Sequence, residues 1–238
     1  MCEYPLRLSQ GHLLARIDGQ EWVLDTGSPL SFGDPGAIEL AGERNPLARS
    51  GAGVDARALS GFLGEACAGL LGTDLLGRFD HRFDVAGGSW TLAGEELALE
   101  GGVPLAAPLC LGVPRVQAEV SGRTLEAFFD TGAWLSYLPE DCLEGCPGEG
   151  TVQDFLPAFG TFEVETFRVE VGLGAWRGSL RCAALPEAIT LLLGLTGTEG
   201  ILGSEVLTGQ PVLWSPRRGW LALDQAGPSG GSMEHKVP

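Results

Sequence analysis

The sequence feature that most limits the fold is an internal repeat. Residues 22–32 read WVLDTGSPLSF, and residues 127–137 read AFFDTGAWLSY. Both copies pass from an apolar run into Asp-Thr-Gly, then through a small residue to an apolar residue, a serine and an aromatic residue. Such self-similarity predicts two copies of one structural unit in the chain.

Two more pairs of segments follow these copies in the same order. GLLGTDLL at residues 69–76 matches GILGSEVL at residues 200–207, and SWTLA at residues 89–93 matches GWLAL at residues 219–223. A single Asp-Thr-Gly is a weak signal, whereas three motifs in register indicate a duplication. We therefore predict an N-terminal lobe over residues 1–93, a linker over 94–108, a C-terminal lobe over 109–225 and a flexible tail over 226–238.

The composition and the turn signals favour an all-β fold with a few short helices. The chain has 37 glycines and 15 prolines, as expected for many turns between short strands. Asp18-Gly19-Gln20 separates two apolar runs before the first Asp-Thr-Gly, and Ser121-Gly122-Arg123 does the same before the second. Each aspartate is therefore expected just after a buried strand. Short helices are expected near residues 73–76, 204–207 and 139–143.

Several classes of function are disfavoured by charge and by missing patterns. The formal net charge of -16 repels phosphate backbones and anionic membranes, so we expect no nucleic-acid partner and no membrane partner. No apolar stretch is long enough to span a bilayer, and no secretory signal is visible. The six cysteines and three histidines lack metal-ligand spacing, which predicts neither metal nor cofactor, and free thiols suit a reducing cytoplasm.

The two aspartates are the candidate catalytic residues. If Asp25 and Asp130 meet at a pseudo-two-fold axis, they cannot both ionise and must share a proton. The ionised carboxylate can then take a proton from water while the protonated one donates to a carbonyl oxygen. Gly27 and Gly132 would let the backbone pass close to the acids. The hydroxyls of their neighbours Thr26 and Thr131 could bond across the lobe interface.

The residue after each Asp-Thr-Gly introduces an asymmetry. Ser28 carries a hydroxyl that can donate to the outer oxygen of Asp25, whereas Ala133 has none to offer Asp130. Since hydrogen bonds to a charged form lower its pKa, we expect Asp25 to hold the negative charge and Asp130 the proton. The alternative is that Ser28 faces away and the dyad is symmetric.

These motifs resemble the pepsin and retropepsin superfamily of aspartic peptidases. The similarity covers about residues 8–225 and rests on both Asp-Thr-Gly turns and on the apolar segments ending at Gly72 and Gly203. It implies a bilobal, pseudo-two-fold, all-β acid-protease fold like a fused pair of retropepsins, and hence a monomer. It also implies that Asp25 and Asp130 hydrolyse an extended peptide substrate through an activated water.

The second lobe also carries a candidate for the family's substrate-covering flap. Residues 155–171 alternate like a hairpin with its turn at 158–161, and they supply the substrate candidates Phe155, Phe159, Gly160 and Phe162. Core-facing strand residues remain an equal alternative. In the first lobe only the short segment 59–64 is a candidate. This reduced first flap leaves a second function open, a non-catalytic or narrowly self-processing peptide-binding protein.

Overall fold

The computed structural model of the protein describes residues 1–99, 101–156 and 160–223. The tail expected at residues 226–238 and the flap candidate Phe159 lie outside the described residues. The first half of the chain forms strands β1 to β11, over Cys2–Ser9, His12–Ile17, Gln20–Leu24, Phe32–Gly33, Ala37–Leu40, Glu43–Pro46, Ser50–Gly51, Val54–Asp55, Gly69–Leu71, Asp80–Asp84 and Ser89–Ala93.

The second half continues with strands and adds few helices. Strands β12 to β22 run over Leu105–Ala106, Leu109–Cys110, Val113–Val120, Arg123–Phe129, Ser136–Leu138, Gly148–Leu156, Gly160–Leu173, Trp176–Ala184, Gly200–Leu202, Val212–Ser215 and Trp220–Leu223. The α-helices α1 to α3 cover Ala56–Leu63, Thr73–Leu76 and Glu187–Gly194, and 3-10 helices cover Glu140–Cys142 and Ser204–Leu207. The prediction of an all-β fold with a few short helices is thereby confirmed.

Two large sheets contain most of the described strands. The first has the order β12-β22-β21-β10-β11-β1-β2-β3-β9-β4, and the second has the order β13-β14-β15-β20-β16-β19-β18-β17. The final hairpin, β21 and β22, pairs with β10 of the first sheet, although the sequence analysis counted it with the second lobe. The last described strands thus belong to the same sheet as the first strands of the chain.

A buried aspartate ties this final hairpin in place. Asp80, at the start of β10, is 1% exposed and accepts hydrogen bonds from Ser215 Oγ at 2.8 Å and from the Arg218 guanidinium at 2.5 Å. The Arg217 guanidinium adds a third contact at 3.1 Å. Burial alone would raise the pKa of Asp80, but these bonds outweigh it and lower that pKa.

Each half repeats one arrangement around its Asp-Thr-Gly turn. A two-residue turn with positive φ precedes it, Asp18-Gly19 (φ 49° and 78°) between β2 and β3 and Ser121-Gly122 (φ 50° and 79°) between β14 and β15. Glycine suits the second position because it has no Cβ to strain there. Strand β9 then inserts between β3 and β4, as β20 does between β15 and β16. The repeat seen in the sequence is therefore a repeat of structure.

One apolar cluster joins the two halves. It contains Leu24 and Trp90 from the first half and Phe129, Leu202 and Trp214 from the second, all of them buried. Because this core is continuous across the junction, burial of apolar surface holds the two Asp-Thr-Gly turns in a fixed relation.

Candidate active site

The strands deliver both aspartates to the same junction. Asp25 follows β3, and its N–H donates to Leu71 O at 3.0 Å; Asp130 follows β15, and its N–H donates to Leu202 O at 2.9 Å. These bonds extend the parallel pairings of β3 with β9 and of β15 with β20. Each carboxylate therefore stands at the end of a buried strand, as the sequence predicted.

The glycine after each inserted strand lies against the turn. A Cβ on Gly72 would lie 2.6 Å from Ser28 O, and a Cβ on Gly203 would lie 2.7 Å from Ala133 O. The Gly72 N–H donates to Ser31 Oγ at 2.8 Å, and the Gly203 N–H donates to its repeat equivalent in the second half, Ser136 Oγ, at 3.0 Å. This close packing explains the glycine and the serine that both copies share.

Two threonines lock the turns together. The Thr26 hydroxyl donates to Phe129 O at 2.6 Å and accepts from the Thr131 N–H at 3.0 Å. The Thr131 hydroxyl donates to Leu24 O at 2.8 Å and accepts from the Thr26 N–H at 3.1 Å. Both side chains are fully buried. The four bonds cross between the halves and fix the separation of the aspartates.

The two carboxyl groups touch across the junction. Each carboxyl group is buried beside the other, and burial raises the pKa of both above the ordinary value of an aspartate. A Cβ on Gly27 would lie 2.2 Å from Asp130 Cγ, and a Cβ on Gly132 would lie 2.3 Å from Asp25 Cγ. Only glycine leaves room for the opposite carboxyl group at these two positions.

The two acids are not equivalent. Burial, followed by the charge and hydrogen bond of Asp130, raises the pKa of Asp25 well above its ordinary value. Burial also raises the pKa of Asp130, but the Gly132 N–H at 2.9 Å, the bond from Asp25 and the Ala133 N–H at 3.2 Å oppose that rise. Asp25 receives a comparable backbone bond, from the Ser28 N–H at 2.9 Å, so the two buried acids share one proton because both cannot ionise at this separation.

The Ser28 side chain does not contact Asp25 in the way that the sequence suggested. The Ser28 hydroxyl donates to Leu30 O at 2.9 Å, not to Asp25, which receives the Ser28 backbone N–H at 2.9 Å. The prediction that the Ser28 hydroxyl donates to Asp25 was wrong, because the local turn engages that hydroxyl. Ala133 supports Asp130 through its backbone N–H, which any residue could supply.

A long hairpin of the second half reaches across to the first. Strands β17 and β18 pair from Gly148 with Phe167 to Leu156 with Gly160, and Gly160 has a positive φ of 77° at the tip. Phe155 packs against the first-half cluster that contains Leu63 and Leu70, and its ring stacks on Phe62 with centroids 3.5 Å apart. Phe155 therefore bridges the halves.

Two further flap candidates are Phe162 in the hairpin and the segment 59–64 in the first half. Phe162 packs on the second-half cluster of Leu135, Tyr137 and Ala183, so it is a core contact of its own lobe.

The segment 59–64 lies in helix α1 and its C-terminal cap instead of forming a short flap. Asp55 caps this helix by accepting from the Ala58 N–H, and Gly64 ends it in a left-handed conformation. These capping residues favoured a helix at this position.

The sequence did not indicate the residues that hold the hairpin close to its tip. Asp154 of β17 accepts a hydrogen bond from the Tyr137 hydroxyl and another, at 2.7 Å, from Trp134 Nε1. Burial and then this carboxylate raise the pKa of Tyr137, which keeps the phenol protonated. The only sequence signal for this contact was a difference between the two repeats. Tyr137 has a hydroxyl that its equivalent in the first copy, Phe32, lacks.

No metal centre or membrane helix is found in the part of the chain that the structure describes. Histidine, cysteine and carboxylate side chains there form no group of three that could hold an ion, and the six cysteines are free thiols. Among the same residues, no helix has the length and apolar character needed to cross a membrane.

The paired Asp-Thr-Gly turns with their inserted strands give the chain a retropepsin-like fold. No family model and no curated protein matches the sequence. Among solved structures it is similar to the protease of simian foamy virus (mac), with 19% identity and a TM-score of 0.29 over 38% of this chain and 88% of that one. It is also similar to a foamy viral protease-reverse transcriptase solved in complex with an RNA/DNA hybrid, with 17% identity and a TM-score of 0.32 over 39% of this chain and 11% of that one.

Proposed function

We propose that this protein is an aspartic endopeptidase that hydrolyses peptide bonds with a water molecule activated between Asp25 and Asp130. The observation that carries the proposal is the pair of buried, facing carboxyl groups, one from each half, each lying against the glycine of the other's turn. A purely structural role would not require two glycines to make room for facing acids.

In the proposed cycle Asp130 is the charged acid and Asp25 is the protonated acid. The charged Asp130 takes a proton from the water while the water oxygen attacks the peptide carbonyl carbon. Protonated Asp25 donates its proton to the carbonyl oxygen, which gives a neutral tetrahedral diol. The diol collapses when Asp130 passes its proton to the amide nitrogen, the carbon–nitrogen bond breaks, and a diol hydroxyl returns a proton to Asp25. No covalent bond to the protein forms in this sequence.

The hairpin points to an extended peptide as the substrate. Strand β17 is an edge strand of the second sheet. Its outer edge therefore offers backbone N–H and C=O groups to an extended peptide. Phe155 and Phe62 add apolar surface where the hairpin meets the first half, which favours apolar-flanked segments. Because one chain supplies both acids, a monomer suffices, and the free cysteines suit a reducing cytoplasm.

Digestion of a peptide library tests this proposal. We expect cleavage between apolar residues and its inhibition by a statine-type compound, whose hydroxyl mimics the diol. The rate should fall at low pH, where both acids are protonated, and at high pH, where both are ionised. Absence of cleavage at every pH, or cleavage that the inhibitor leaves untouched, contradicts the proposal.

One observation favours the second candidate, a peptide-binding protein that is non-catalytic or processes only itself. Helix α1 occupies the place of a first-half flap, and the stacked Phe62 and Phe155 occupy the space between the hairpin and that helix. Substrate closure then depends on the second-half hairpin alone. A library that is bound but not cut by the wild-type protein would support this candidate.

A further inference from the structure

Each half sends a tight turn onto the Asp-Thr-Gly region of the other half. Gln10 and Gly11, with φ of 48° and 82°, lead into His12, and Leu111 and Gly112, with φ of 53° and 88°, lead into Val113. His12 begins β2 and Val113 begins β14, so the two residues occupy matching positions.

The contacts of the two turns confirm this correspondence. A Cβ on Gly11 would lie 2.5 Å from Trp134 Cβ, and a Cβ on Gly112 would lie 3.5 Å from Pro29 Cβ. Trp134 and Pro29 hold the same place in the two repeats, four residues beyond the aspartate in each case. His12 and Val113 are therefore counterparts with very different side chains.

Only His12 offers a hydrogen bond from this position. Its Nδ1 lies 2.9 Å from the carbonyl oxygen of Gly132. A carbonyl oxygen can only accept, so Nδ1 must carry the hydrogen. The aliphatic side chain of Val113 has no donor for the first turn.

The carbonyl that His12 binds belongs to the same peptide group as a donor to Asp130. That peptide joins Gly132 to Ala133, and the Ala133 N–H donates to Asp130 Oδ1 at 3.2 Å. A bond to the carbonyl polarises the peptide group and strengthens its N–H as a donor, and it also fixes the plane of the peptide. Hydrogen bonds therefore connect His12 to Asp130 through this peptide group. Asp25 lies against Gly132, at the start of the same peptide.

We propose that His12 is a positioning residue that places the shared negative charge on Asp130, by holding the Gly132–Ala133 peptide with its N–H aimed at that carboxylate. Val113 cannot do the same for Asp25, so the difference between the two counterparts breaks the symmetry of the dyad. The inference rests on the proposed function only for its effect on catalysis; the placement of the charge is a property of the folded protein.

Carboxyl titration by ¹³C NMR on aspartate-labelled protein tests the proposal without a substrate. His12→Val copies the counterpart residue, and we expect it to raise the lower apparent pKa of the pair by about 0.5, since one donor to the charged acid weakens. His12→Asn keeps a side-chain N–H near the position of Nδ1 and should titrate like the wild type. Val113→Ala is the matched control, because it perturbs the opposite turn without removing a hydrogen bond.

Two results would overturn the proposal. One is an unchanged titration in His12→Val; the other is the same shift in His12→Asn as in His12→Val. If His12→Val does not fold, ¹⁵N NMR of the wild type decides, because an unprotonated Nδ1 on His12 would exclude the bond to Gly132.

The same variants separate this inference from the proposed function. In an active enzyme, His12→Val should move the acidic limb of the kcat/KM profile upward and lower kcat with little change in KM. If the wild-type protein cuts no peptide but His12→Val shows the expected NMR shift, the peptidase proposal is refuted and the role of His12 is kept. A moved acidic limb without a carboxyl shift would overturn the role of His12.

Discussion

The threonine pair at the junction permits a stability prediction worked from the structure. Thr26→Val keeps the side-chain volume but removes a fully buried hydroxyl that donates to Phe129 O at 2.6 Å and accepts from the Thr131 N–H at 3.0 Å. Both partners are then left without a hydrogen bond. At about 1–3 kcal/mol for each buried group left unsatisfied, the free energy of unfolding should fall by about 2–6 kcal/mol.

Urea denaturation followed by tryptophan fluorescence measures this change, and Thr26→Ser is the matched control. Serine keeps the hydroxyl and loses only a methyl group, so it should cost about 1 kcal/mol. Thr26→Val should also reduce turnover, because the two acids lose their fixed separation. Equal stability of the valine and serine variants would refute the cross-junction bonding described above.

Three further substitutions test other parts of the site. Gly27→Ala should reduce turnover at least about 100-fold, because its Cβ would lie 2.2 Å from Asp130 Cγ; Gly61→Ala, which meets nothing within 4 Å, is the control. Tyr137→Phe removes a donor to Asp154 and should lower kcat/KM about tenfold by loosening the hairpin, with a melting temperature close to that of the wild type. Asp80→Asn should destabilise the fold by about 3 kcal/mol. Because the pKa of Asp80 is lowered on folding, its contribution should be present above about pH 4 and disappear below that in urea titrations of the wild type.

Local sequence patterns were sufficient to predict the two Asp-Thr-Gly turns and the strands that lead into them. Asp-Thr-Gly and the apolar segments ending at Gly72 and Gly203 depend on neighbouring residues and on backbone contacts that only glycine permits. The two-residue turns at Asp18-Gly19 and Ser121-Gly122 are likewise local. These features could be predicted because each carries its structural reason in a few adjacent residues.

Long-range contacts explain what the sequence did not show. The pairing of β21 with β10 joins segments that lie far apart in the sequence. His12 meets Gly132, and Asp154 meets Tyr137, only after the sheets have formed. The expected bond from Ser28 to Asp25 did not form because a hydroxyl has several acceptors within reach, and this one donates to Leu30 O. A single sequence does not indicate which of these distant or competing partners is chosen.

Turnover after isosteric replacement of either aspartate tests the central claim most directly. Asp25→Asn and Asp130→Asn each keep the side-chain size and remove one of the two proton roles, and they also relieve the burial of a shared charge. We predict that each variant folds with a melting temperature at or above that of the wild type and cleaves no peptide from the library. Undiminished cleavage by either variant would contradict the account.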